Sequence, residues 1–146
     1  MIATAFDLHE TDELVAIVGG GGKTSLLFAL ARALAPGVVV TTTTRIFAAQ
    51  LRLAPAVCFL TADDAAAAAG WLGTAVAVGH LAQLDELLAA HGVCLVVGRI
   101  DGEKALGVPP DLPARLLARR GVRHVLVEAD GARMRPIKAP AAHEPV

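Results

Sequence analysis

Apolar residues in this chain gather into short, valine-rich blocks separated by polar, glycine or proline positions. Leu14–Val18, Val38–Thr42, Val93–Arg99 and Val122–Glu128 are the clearest of them. Continuous apolar runs of this length predict strands buried on both faces of a parallel sheet, since a half-solvated strand would alternate. Val57–Leu60 and Thr74–Val78 are weaker strand candidates. Thr24–Leu34, Ala62–Trp71, Leu81–His91 and Leu112–Arg120 predict the intervening helices. Pro36-Gly37 stops the first helix, Thr61 is placed to cap the second, and Gly121 closes the last. Ile100–Pro110 reads as a loop, and the residues before Leu14 as a short helical or irregular lead-in. Strand and helix alternate throughout, which predicts an α/β fold with a doubly wound, mostly parallel sheet in one domain, 1–146.

Composition removes several classes of function. A net charge of −1 gives no global field for nucleic acid or for an anionic membrane. Aromatic residues are only 3% of the chain and tyrosine is absent, so stacking platforms for single strands are poorly supplied. The charge-free stretch Ala65–Leu84 is mostly alanine and glycine and is rejected as a membrane span. The N-terminus lacks a basic start followed by a long apolar core, so no secretory signal is expected and a cytoplasmic location follows. Cys58 and Cys94 lie in apolar surroundings without C-x-x-C spacing and read as buried structural thiols.

The chemistry starts at residues 14–25, Leu-Val-Ala-Ile-Val-Gly-Gly-Gly-Gly-Lys-Thr-Ser. An apolar strand feeds four glycines, then a lysine and two hydroxyl residues that open a helix. Glycines let successive amides turn toward an anion, and the helix N-terminus adds partial positive charge. Gly19, Gly20, Gly21, Gly22, Lys23, Thr24 and Ser25 are therefore the expected phosphate-binding residues. Lys23 would reach the outer phosphates, and Thr24 would ligate Mg²⁺. The strict G-x-x-x-x-G-K-[ST] pattern is not met, because Ile17 stands at its first glycine. The variant K-G-G-x-G-K-[ST] fits Val18–Thr24 except at Val18. The bland alternative is a ligand-free Gly-rich turn of a Rossmann-like unit.

A second motif, Val125-Leu126-Val127-Glu128-Ala129-Asp130-Gly131, ends an apolar strand in acids. Glu128 and Asp130 share a facing along a strand. They are the expected catalytic and metal-side carboxylates, against the alternative of a solvated strand end. Thr41-Thr42-Thr43-Thr44-Arg45 follows another strand, where Thr43 is a candidate metal ligand and Arg45 a candidate to offset phosphoryl charge. Arg133, Arg135, Lys138 and His143 are candidate substrate-binding residues, with Glu144 a possible acid–base partner, or else part of a solvated basic loop. Lys104 has no fixed place in this scheme.

Together these motifs resemble the YqeC family. The resemblance rests on Val-Ala-Ile-Val-Gly-Gly-Gly-Gly-Lys-Thr-Ser, Val-Thr-Thr-Thr-Thr-Arg-Ile-Phe, Leu-Val-Glu-Ala-Asp-Gly-Ala-Arg and Arg-Pro-Ile-Lys-Ala-Pro-Ala-Ala-His-Glu-Pro-Val. It implies a three-layer P-loop NTPase-like domain, incomplete at its C-terminus, because family members usually continue past the His-Glu-Pro stretch. It also implies an accessory role in maturing the selenium cofactor of molybdenum hydroxylases, with that enzyme or its cofactor as partner. Mg²⁺ with ATP or GTP is the expected cofactor pair, and the absence of N-K-x-D leaves the base unselected. An open sheet edge would favour a homo-oligomer. Two other readings stand beside this one: a fragment resembling the ATP-dependent Mur ligases, whose loop also reads Gly-Lys-Thr-Ser, and a nucleotide-regulated binding module without turnover.

Overall fold

A computed structural model of the chain describes residues 2–8, 12–70, 72–73 and 76–130. A short helix α1 (Ile2–Ala5) precedes β1 (Glu13–Ile17), α2 (Lys23–Leu34) and β2 (Val38–Thr42). Then come β3 (Arg45–Phe47), a 3₁₀ segment (Ala48–Leu53), β4 (Ala56–Phe59), α3 (Ala62–Ala68) and β5 (Val76–Val78). A second 3₁₀ turn (Leu81–Gln83) leads into α4 (Leu84–His91) and β6 (Val93–Val97). Last are β7 (Ile100–Asp101), β8 (Lys104–Leu106), α5 (Leu112–Leu117) and β9 (His124–Glu128).

Six strands form one sheet in the order β1-β9-β2-β6-β4-β5, with every pairing parallel. Helices cover both faces, which the side-chain alternation makes plain. Val38, Val40, Leu95, Val97 and Leu126 point into a core closed by α2, the Ala48–Leu53 segment and α3. Val39, Cys94, Val96, Val125 and Val127 point into the opposite core, closed by α4 and α5. The result is a three-layer α/β/α arrangement, as the apolar blocks predict. Helix α2 buries Leu27, Phe28, Leu30 and Ala31, a stripe at helical spacing. Thr61 caps α3, its hydroxyl accepting from the Asp64 amide at 3.2 Å.

The structure corrects two expectations. β1 is not buried on both faces: Leu14 is 42% exposed and Ala16 is exposed too. Among the described residues β1 pairs with β9 alone and lies at the margin of the sheet, so one side of the strand has no neighbour to cover it. Residues 100–110 are not simply a loop. β7 and β8 make a hairpin whose two-residue turn starts at Gly102, with φ 58, and β8 pairs antiparallel with β3. This small second sheet continues from the C-terminal ends of β2 and β6. Lys104 sits in it with its ammonium 2.9 Å from the centroid of the Phe47 ring.

Cys58 and Cys94 are free and buried, as expected. Burial pushes the Cys58 thiol up to about 11 and the Cys94 thiol higher still, so both stay protonated. No helix among the described residues is long and apolar enough to cross a membrane.

Candidate functional site

The ends of three adjacent strands build the site. β9 lies between β1 and β2, and its last residue, Glu128, stands level with Ile17 on one side and Thr42 on the other. The chain leaves β1 through the four glycines and enters α2 at Lys23. Gly19 and Gly22 have φ of 111 and 90, a region that only glycine enters at little cost. Gly22 offers no side-chain cap. Among the described residues, no hydrogen bond engages the first-turn amides of Lys23, Thr24 and Ser25 at the positive end of the helix. Ser25 itself is exposed.

The two acids of the late motif close on this loop, although they sit more than a hundred residues away in sequence. The Thr24 hydroxyl donates to Glu128 Oε2 at 2.8 Å. The Lys23 ammonium lies 3.2 Å from Asp130 Oδ1 and donates to the carbonyls of Gly19 at 2.7 Å and Gly20 at 3.0 Å. The Gly19 amide donates to Asp130 Oδ2 at 3.0 Å. Lys23, Glu128 and Asp130 are all buried. Burial is the main reason the Glu128 carboxyl is held above its usual range. The Thr24 hydroxyl and the Lys23 charge oppose that rise, and the Asp130 charge adds to it. Glu128 and Asp130 do not act as one strand face. Glu128 ends the strand, while Asp130 lies beyond it and reaches the loop's first glycine.

The threonine run divides its work. Thr41 is tied to the neighbouring strand, donating to the Val96 carbonyl at 2.7 Å. Thr42 donates to the Glu128 carbonyl at 2.9 Å, and the Thr43 amide reaches that same oxygen at 3.2 Å. The Thr43 side chain is half-buried beside the acids' strand. Arg45 is exposed at the start of β3, and no hydrogen bond or ion pair joins it to Lys23, Glu128 or Asp130. Arg133, Arg135, Lys138 and His143 lie outside the described residues.

The motifs alone do not point to Gly107. A Cβ there would lie 2.5 Å from the Thr43 carbonyl carbon, 2.6 Å from the Thr42 oxygen and 2.7 Å from the Thr44 nitrogen. Gly107 donates to the Thr44 carbonyl at 2.6 Å, and Val108 to the Thr42 carbonyl at 2.8 Å. The Thr42–Thr44 turn is thus held between Glu128 and the Gly107–Val108 segment that follows the hairpin. Gly107 precedes Val-Pro-Pro in the sequence, a context that signals a turn but not the backbone it must approach.

The oxygens of Thr24, Glu128 and Asp130 are hard donors of the kind Mg²⁺ accepts. Among the described residues no group of three or more His, Cys, Asp or Glu forms a metal cluster. Two carboxylates and a hydroxyl completed by phosphate fit the habit of Mg²⁺.

Comparison with known proteins gives the chain a family. The model for the family described as YqeC protein matches residues 15–146. A curated relative from Escherichia coli strain K12, described as "Uncharacterized protein YqeC", is 33% identical over 135 residues, covering 90% of this chain and 46% of the relative. The chain thus spans about half the length of the curated relative it matches. No solved structure gives a significant match.

Proposed function

This chain belongs to the YqeC family, and from that premise we propose that it binds a nucleoside triphosphate with Mg²⁺ on the loop Gly19–Ser25. One observation carries the proposal. The lysine and threonine of the glycine loop meet the two late acids, Lys23 with Asp130 at 3.2 Å and Thr24 with Glu128 at 2.8 Å. A ligand-free Gly-rich turn has no use for a buried ammonium and two buried carboxylates, which are costly to desolvate unless paired.

In this reading the open amides of the first α2 turn and the Lys23 ammonium bind phosphate oxygens. Thr24, Glu128 and Asp130, with Thr43 nearby, hold Mg²⁺, which would neutralise charge on the phosphoryl oxygens. Glu128 and Asp130 also orient the attacking group, and Arg45 offsets charge at the outer phosphate. The loop's rigid start on β1 and α2 serves positioning, the main source of catalysis in phosphoryl transfer. The nucleotide-driven step serves maturation of the selenium-dependent cofactor of a molybdenum hydroxylase, in the cytoplasm. That last assignment rests on the motif resemblance alone, with Arg133, Arg135, Lys138 and His143 as its substrate contacts.

The test is a titration of the protein with ATP and GTP, with and without Mg²⁺, alongside Lys23→Ala. Loss of charge-assisted bonds worth about 1.5–3 kcal/mol predicts roughly tenfold to hundredfold weaker nucleotide binding in the variant. Unchanged affinity would rule out the loop as the phosphate site. Nucleotide-dependent co-purification with a molybdenum hydroxylase is expected if the pathway assignment holds.

A further inference from the structure

Three groups that the loop would turn toward a phosphate are already engaged by the chain's own acids. The Gly19 amide and the Lys23 ammonium both meet the Asp130 carboxylate, at 3.0 and 3.2 Å, and the Thr24 hydroxyl meets Glu128 at 2.8 Å. A carboxylate that takes an amide proton and an ammonium together makes the contacts that two phosphate oxygens would make. Asp130 is 3% exposed, so this contact is built into the interior and is not a surface pair. Lys23 adds the Gly19 and Gly20 carbonyls, which draws the loop onto itself.

We propose that Asp130 occupies the loop's phosphate seat and thereby makes the site selective for the metal–nucleotide complex over the free nucleotide. The proposal rests on the reading that Gly19–Ser25 binds nucleotide phosphates. A metal-free triphosphate has to displace Asp130 from Gly19 and Lys23. It then sits beside two carboxylates, Asp130 and Glu128, and among the described residues Lys23 is the cation in contact with them. When a divalent cation accompanies the nucleotide, Asp130 has a stronger partner than Lys23, and the seat opens without leaving a bare buried charge. The apparent affinity for free nucleotide is therefore reduced by the fraction of molecules in which Asp130 holds the seat. Asparagine at this position keeps the shape and an acceptor for the Gly19 amide. It removes both the charge that holds Lys23 and the charge that repels phosphate.

Equilibrium dialysis with labelled ATP, in Mg²⁺ and in a chelator, on wild type, Asp130→Asn and Lys23→Ala tests this. Wild type is expected to bind at least about tenfold more tightly with Mg²⁺, and Asp130→Asn to narrow that ratio chiefly by binding metal-free ATP about tenfold more tightly. Lys23→Ala weakens both conditions. An unchanged ratio in folded Asp130→Asn overturns the role of Asp130 while leaving the loop assignment intact. Equal wild-type affinities in the two conditions overturn it as well, without need of the variant. Nucleotide binding that survives unaltered in Lys23→Ala overturns the loop assignment beneath it.

Discussion

Glu128 keeps a carboxylate out of water beside a second one, and burial raises its pKa. Its folded value lies above the ordinary 4.5, so the native state holds this proton more tightly than the unfolded chain does. Below about pH 4.5 the group is protonated in both states and imposes no penalty. As pH rises from there through the folded value the penalty grows. Glu128→Gln is therefore expected to melt at a higher temperature than wild type at pH 7 and to lose this advantage in acid. Thermal unfolding across that range checks the sign. The same variant should lose Mg²⁺-dependent turnover, if turnover occurs in the wild type.

Two glycines separate backbone conformation from crowding. At Gly22 nothing among the described residues lies within 4 Å of an added Cβ, so the strain of Gly22→Ala comes through its φ of 90. The expected cost is about 1–2 kcal/mol in denaturant unfolding. Gly107→Ala has an ordinary φ but drives a methyl into the backbone of Thr42–Thr44. It is expected to cost more than Gly22→Ala and to weaken nucleotide binding as well, since the displaced turn supports Glu128.

At the level of elements, β9 joins packing to chemistry. Leu126 is fully buried in the core beneath α2, two residues before Glu128. Leu126→Ala is expected to destabilise the fold by about 2–5 kcal/mol in urea unfolding. Strands of this kind were legible in the sequence because both faces need apolar residues, so β2, β4, β6 and β9 stand within about two residues of their apolar blocks. The hairpin of β7 and β8 escaped detection. Two- and three-residue strands leave no periodicity, and their pairing with β3 is a long-range event. β1 was placed correctly and its burial misjudged, because the composition of a strand does not say whether it lies at the centre or the edge of a sheet.

For the molecule as a whole, the candidate site is legible where unusual residue types stand in order. A lysine after four glycines and acids after a valine strand are such cases, and Lys23, Thr24, Glu128 and Asp130 do meet. The closing of Asp130 on Gly19, and the approach of Gly107 to the threonine turn, depend on three-dimensional juxtaposition that no local pattern encodes. The margin of the sheet carries its own prediction. Leu14 in β1 and Val18 just after it are 42% and 43% exposed, and the outer edge of β1 is unpaired among the described residues. Such an edge invites pairing between copies. Sedimentation is expected to show concentration-dependent association that Leu14→Lys reduces, with little change in stability.

Because β9 is threaded between β1 and β2, the last described strand to leave the ribosome brings the two acids to a glycine loop made about a hundred residues earlier. Until that strand arrives, the glycine loop has neither Glu128 nor Asp130, and β1 has no strand to pair with among the described residues. Nascent chains halted before His124 should fail to retain nucleotide, which makes ligand capture a marker for the arrival of β9.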